Sequence, residues 1–98
     1  MSTAREAIRM RVARDLPDVA SCVTGWRRTR LRDGTRSMTA QVNRLAWPAG
    51  PREIEFYVAQ DGTLCCASKQ GGRVKYIAAT EDAFFVSGLY PLGRPEMN

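Results

Sequence analysis

The amino-acid sequence predicts a small α+β domain, in which an N-terminal helical segment packs on a curved, mainly antiparallel sheet of about five strands. Three observations carry this prediction. Apolar residues near the start of the chain recur every four positions, two Asp-Gly-Thr tripeptides separate strand-like stretches, and an acidic helix start follows the last stretch. The 98 residues, of which 44% are hydrophobic, suit a single domain with one modest core.

The first element is predicted as a helix over residues 4 to 16. Thr3 and Glu6 have the spacing of a capping box, in which each side chain bonds to the backbone amide of the other residue. The apolar positions behind this box are Ile8, Val12 and Leu16. Pro17 ends the run, and residues 18 to 24 are predicted as a short second helix rather than a strand.

The first hairpin is predicted around residues 33 to 35, because Asp-Gly between strand-like runs favours a two-residue type I′ turn. With a two-residue loop, Arg28 faces Thr39, so that one side of the ribbon is basic and polar and the other mostly apolar. Residues 37 to 47 also have helical spacing, which keeps a helix there as an alternative.

A three-stranded meander is predicted from the second Asp-Gly-Thr, at residues 61 to 63, and from Gly71-Gly72. These turns place Phe56 opposite Ala67 and Ala67 opposite Tyr76. One face then collects the apolar residues Ile54, Phe56, Val58, Cys65, Ala67, Val74, Tyr76 and Ala78. The other, half-polar face holds Glu53, Glu55, Tyr57, Leu64, Cys66, Ser68, Lys75 and Ile77. Two interpretations of this second face stay open: it lies under the N-terminal helix, or it forms a dimer interface.

A short C-terminal helix completes the prediction. Thr80 and the acidic residues after it are typical of a helix start, and Gly88 is a suitable stop. Residues 91 to 98 are expected to form a loose tail of the single domain, residues 1 to 98. A strongly curved sheet approaching a small barrel is the alternative architecture.

The composition argues against catalysis and against a metal or cofactor. The chain has no histidine, which removes the usual proton shuttle and the commonest metal ligand. Its three cysteines lack the CxxC spacing of zinc sites, and we find no Walker loop, dinucleotide fingerprint or EF-hand. An enzyme that uses Cys66 beside Lys75, or the Glu53 and Glu55 pair, is the weakest reading. We therefore expect no enzyme.

The expected location is the cytoplasm. The longest apolar runs have about the length of a strand, far short of the roughly 20 residues of a membrane helix. The N-terminal segment lacks the apolar stretch of a secretory signal, and three cysteines do not make a disulfide framework. We expect no membrane partner, and the oligomeric state stays open, with a dimer among the options.

The charge distribution indicates an anionic partner. Residues 1 to 44 hold ten arginines and four acids, a charge of +6, whereas residues 45 to 98 hold five basic and six acidic residues, a charge of −1. The candidate site is the first hairpin, with the residues Trp26, Arg27, Arg28, Arg30, Arg32, Arg36, Ser37, Thr39 and Gln41. Alternate arginines on a strand project from one side about 6.6 Å apart.

These residue types suit nucleic acid. Guanidinium groups bind phosphates through two parallel hydrogen bonds, and Trp26 offers a surface on which a base can stack. We therefore predict a non-catalytic binding module whose basic β-hairpin engages nucleic acid through the phosphate backbone. The alternative is a small protein-binding inhibitor or adaptor, for example an anti-defence protein of a mobile element. It would dock its arginine-rich face on an acidic protein surface of a larger complex.

Overall fold

The computed structural model describes residues 3–48, 50–70 and 72–89, which form three helices and five strands. In chain order these are α1 (Ala4–Asp15), α2 (Pro17–Ala20), β1 (Val23–Arg30), β2 (Arg36–Val42), β3 (Glu53–Val58), β4 (Leu64–Gln70), β5 (Arg73–Ala78) and α3 (Glu81–Ser87). All neighbouring strands are antiparallel, in the order β1-β2-β3-β4-β5, and the sheet does not close into a barrel. The predicted α+β class is confirmed, and the predicted C-terminal tail lies outside the described residues.

The helix α1 begins at Ala4 as its sequence predicts and ends one residue earlier than predicted, at Asp15. The Thr3 hydroxyl accepts a hydrogen bond from the Glu6 amide at 3.1 Å, and Pro17 starts the separate turn α2. The predicted second helix over residues 18 to 24 is wrong beyond Ala20. The β-branched Val23 instead enters β1, where the sheet pairs it with Val42.

Both Asp-Gly-Thr turns hold one more loop residue than predicted. In the first, the Leu31 amide donates to the Thr35 carbonyl at 2.9 Å, which leaves three residues in the loop. Gly34 has a φ of 92°, and in the described ranges only glycines have a positive φ. A type I′ turn would require a positive φ at Asp33 as well, so the observed loop is a type I turn followed by a left-handed glycine. The second turn repeats this geometry, with Gly62 at a φ of 89°.

The longer loop shifts the first hairpin by one residue. Arg28 lies opposite Met38 rather than Thr39, and Trp26 lies opposite Ala40. A one-residue shift moves every side chain of one strand to the other face relative to its neighbour. The prediction that Arg28 and Arg30 share a face with Ser37, Thr39 and Gln41 is therefore wrong.

The same shift turns β4 and β5 over relative to β3. Phe56 lies opposite Cys66 rather than Ala67, whereas the predicted pairing of Ala67 with Tyr76 is confirmed. Leu64 and Cys66 therefore join the core. Val74 and Tyr76, predicted on the apolar face, are 48% and 65% exposed. Ser68 and Lys75 pair as predicted, but they lie on the opposite face from Glu53 and Glu55.

The sheet has a covered face, packed under α1, and an open face. The covered face carries Trp26, Met38, Ala40, Ile54, Phe56, Leu64 and Cys66, which form the core with Ile8 and Val12 of α1. The helix α3 is capped by Thr80, buries Phe84 and ends at Gly88, which has a φ of 77°. No helix in the described part of the chain has the length and apolar character needed to span a membrane.

Candidate functional site

Arg5 fastens the start of α1 to the first hairpin. Its Nη2 donates to the Thr29 carbonyl at 3.0 Å, and its Nε donates to the Ser37 carbonyl at 3.2 Å. This position brings Arg5 close to the arginines of β1 and β2 on the covered face. Partial desolvation lowers the pKa of Arg5, and the charges of Arg30, Arg28 and Arg36 lower it further.

Arg9 extends this group along α1. Its guanidinium carbon lies 5.9 Å from the ring centroid of Trp26, which is a cation–π contact. The Trp26 ring is partly buried, and its centroid lies 5.9 Å from that of Phe56 at a tilt of 49°. We define the arginine cluster as Arg5, Arg9, Arg28, Arg30 and Arg36.

A shallow groove of about 620 Å³ separates α1 from β1 beside the cluster. Arg5, Arg9 and Arg28 line this groove together with Trp26 and with Met10, which is 63% exposed. The side chains of these three arginines therefore lie at an accessible surface. Other side chains on the covered face, such as Met38 and Ala40, form the core.

The arginine cluster is not neutralised by carboxylates. In the described ranges the salt bridges join Arg14 to Asp15 and Arg27 to Glu53, and neither includes an arginine of the cluster. Glu6 also lines the groove but lies outside salt-bridge distance of these arginines. Arg30 donates to the Gly34 carbonyl at 3.1 Å. An anion that approaches the cluster thus meets several guanidinium groups that no carboxylate pairs with, and Glu6 is the one carboxylate among the described residues that line the groove.

The structure divides the residues predicted for the site. By strand register Trp26, Arg28, Arg30 and Arg36 lie on the covered face, whereas Arg27, Ser37, Thr39 and Gln41 lie on the open face. Arg30, near the end of β1, also lines a depression on the open face. Arg32 lies in the turn between β1 and β2. The sequence prediction missed Arg5 and Arg9. Their four-residue spacing places both on one side of α1, but only the packing of α1 shows which strands they meet.

On the open face, several polar side chains form hydrogen bonds and an ion pair with one another. The Thr29 hydroxyl lies 2.7 Å from that of Ser37 and 3.0 Å from that of Thr39, and Ser37 donates to the Glu55 carboxylate. Arg27 pairs with Glu53 at 2.9 Å. These hydroxyls and charges satisfy one another, and two carboxylates lie among them. Arg44, Arg52 and Lys69 also line the depression on this face, beside the carboxylates of Glu53 and Glu55. We rank the open face below the arginine cluster as a site for a polyanion because of these two carboxylates.

The reactivity of the cysteines tests this assignment of faces. Cys66 is fully buried, and burial, followed by the charge of Cys65, raises its pKa to about 12. A pKa of about 12 instead of the usual 9.0 lowers the thiolate fraction near neutral pH by about 10³-fold, because each pKa unit is a factor of ten. We expect Cys66 in a Cys65→Ser variant to be alkylated slowly at about pH 8, until urea unfolds the protein.

The matching Cys66→Ser variant is the control for this measurement, because it leaves the half-buried Cys65 of the open face. Mass spectrometry of the modified peptide distinguishes both sites from the buried Cys22. Equal alkylation rates for the two thiols in the folded protein would contradict the register. The shifted pairing of β3 with β4 turns Cys66 into the core.

Within the described ranges, no group of three or more His, Cys, Asp or Glu side chains is arranged to hold a metal ion. No protein-family model, curated protein or solved structure matches the chain. The chemistry of the arginine cluster is therefore the basis on which a function is proposed.

Proposed function

We propose that the protein is a non-catalytic module that binds nucleic acid through its phosphate backbone, using the arginine cluster. The observation that carries this proposal is the gathering of guanidinium groups from α1, β1 and β2 around Arg5 and the groove, with no salt bridge to a carboxylate among the described residues. A polyanion relieves the repulsion among these charges, and each phosphate accepts hydrogen bonds from a guanidinium fork.

Part of the cluster is held in place before a ligand arrives. Two carbonyl hydrogen bonds hold Arg5, and the Trp26 ring supports Arg9. Arg28 and Arg30 project from one strand, with Arg36 directly opposite Arg30. The side chains of Arg5, Arg9 and Arg30, which already have contacts, lose less entropy on binding than flexible basic side chains do. Phosphate contacts supply affinity without reading base sequence, so the proposed role is to position or occlude nucleic acid in the cytoplasm.

The test is the salt dependence of binding, measured by fluorescence anisotropy of a labelled duplex of about 20 base pairs. Five phosphate contacts predict a slope of about −4.5 in a plot of log affinity against log salt concentration, since each contact contributes about −0.9. A slope flatter than about −2 would contradict the proposal, as would the absence of binding at about 25 mM salt.

The second candidate is a small inhibitor or adaptor that docks the same surface on an acidic protein. Met10 favours it, because this exposed apolar side chain lines the groove beside Arg9, and Met and Arg are both enriched in protein interfaces. This candidate predicts a stoichiometric protein complex that Met10→Glu weakens, together with little binding to free nucleic acid. The salt titration separates the two candidates before any partner is known.

A further inference from the structure

The arginine cluster lacks a free aromatic ring. Proteins that bind single strands combine a basic groove with exposed rings on which successive bases stack. The aromatic ring in the groove beside the cluster belongs to Trp26. This ring is partly buried, contacts Phe56, and has the guanidinium of Arg9 over its face. A base that stacked on Trp26 there would have to displace one of the charges that attract its phosphate.

The other aromatic residues of the described ranges lie elsewhere. Trp47, Phe56 and Phe84 are buried, and Phe85 packs against the core from α3. Tyr57 and Tyr76 lie on the open face, away from the cluster. On the basic surface that the structure describes, guanidinium groups are therefore available to a ligand and stacking platforms are not.

The arrangement of the cluster suits a rigid ligand. Its arginines come from a helix and two paired strands, and therefore form a two-dimensional patch rather than a single line. A double helix presents phosphates of both strands at fixed positions, with one charge per about 1.7 Å of axis. A single strand has a lower charge density and must lose conformational freedom to fit a fixed patch.

We propose, resting on the function proposed above, that the ligand of the arginine cluster is a nucleic-acid double helix whose bases stay paired and stacked. In this proposal Trp26 supports Arg9 and does not stack on a base. The consequence is a preference for duplex over single strand that grows as salt is lowered. Each phosphate contact has a slope of about −0.9 on a duplex and about −0.7 on a single strand.

The experiment compares a duplex of about 20 base pairs with each of its two component strands, by anisotropy at about 50 mM salt. Five contacts predict that the duplex binds about 20-fold more tightly, if the affinities converge near 1 M salt. A second duplex carries 2-aminopurine at its centre, and the fluorescence of this base rises when it is unstacked. We expect that fluorescence to stay unchanged when the protein saturates the duplex.

The outcomes separate this inference from the function on which it rests. Single strands that bind within tenfold of the duplex, or more tightly, would overturn the duplex assignment and leave the nucleic-acid function in place. A rise in 2-aminopurine fluorescence on binding would overturn it in the same way. Absence of binding to every oligonucleotide at low salt would overturn both proposals together.

Discussion

Replacement of Arg28, Arg30 and Arg36 together by glutamate is expected to weaken nucleic-acid binding by at least about 10³-fold at about 50 mM salt. Removal of three phosphate contacts lowers the salt slope by about 2.7, which is more than three decades of affinity between about 1 M and 50 mM salt. The introduced carboxylates add repulsion. The measurement is the anisotropy titration, with circular dichroism to confirm that the variant is folded.

The matched control reverses three charges on another surface. Arg44, Arg52 and Lys69 line the depression on the open face, which among the arginines of the cluster only Arg30 also lines. Their replacement by glutamate changes the net charge from +5 to −1, as the first variant does. We expect the control to stay within about tenfold of the unmodified protein, because long-range attraction falls but the phosphate contacts remain. An equal loss in both variants would show that binding follows net charge and not the arginine cluster.

Single substitutions resolve the same site further. Arg28→Gln should flatten the salt slope by about 0.9, because it removes one phosphate contact without adding a negative charge. Arg32→Gln should flatten it less, since Arg32 lies in the turn and not on the covered face. A larger effect at Arg32 than at Arg28 would favour the tip of the hairpin as the binding surface.

Replacement of Phe56 by alanine is expected to lower the free energy of unfolding by about 3–5 kcal/mol. Phe56 is fully buried in the central strand β3, opposite Met38 on one side and Cys66 on the other, and its ring contacts Trp26. A domain of this size has a total stability of about 5–15 kcal/mol, so the variant loses a large share of it. Urea denaturation followed by circular dichroism measures the change.

Two further variants keep this prediction decisive. Phe56→Leu retains most of the buried volume and is expected to remain folded if the alanine variant does not, with a loss well below that of alanine. Val86 is 86% exposed on α3, and Val86→Ala should change stability by less than about 0.5 kcal/mol. A loss below about 1 kcal/mol in Phe56→Ala would contradict the placement of Phe56 at the centre of the core.

Local signals in the sequence predicted the elements well. The spacing of Thr3 and Glu6 locates the start of α1, Thr80 and Gly88 delimit α3, and alternation locates the strands. Each of these features depends on residues that are close to one another in the sequence. The predicted second helix extends beyond α2, because valine spacing over a few residues does not distinguish a helix from a strand.

The turns show where local reasoning stops. Asp-Gly fits both a two-residue type I′ loop and a three-residue loop with a left-handed glycine, since both place glycine at a positive φ. The two loops differ in the φ of the aspartate, in whether the residue before it belongs to the loop, and therefore in one residue of register. That residue reversed the faces of β4 and β5, and it separated Arg28 from Thr39.

The sequence by itself determined the α+β class, the number and order of the strands, and the excess of arginine in the first half of the chain. Tertiary structure alone decided which arginines meet. Alternation shows which residues of one strand share a face. Which residues of the neighbouring strand join that face depends on the turn and on the core beneath α1. The same packing joins Arg5 and Arg9 to Arg28, Arg30 and Arg36, because burial of Ile8 and Val12 against the sheet sets the position of α1 over the first hairpin.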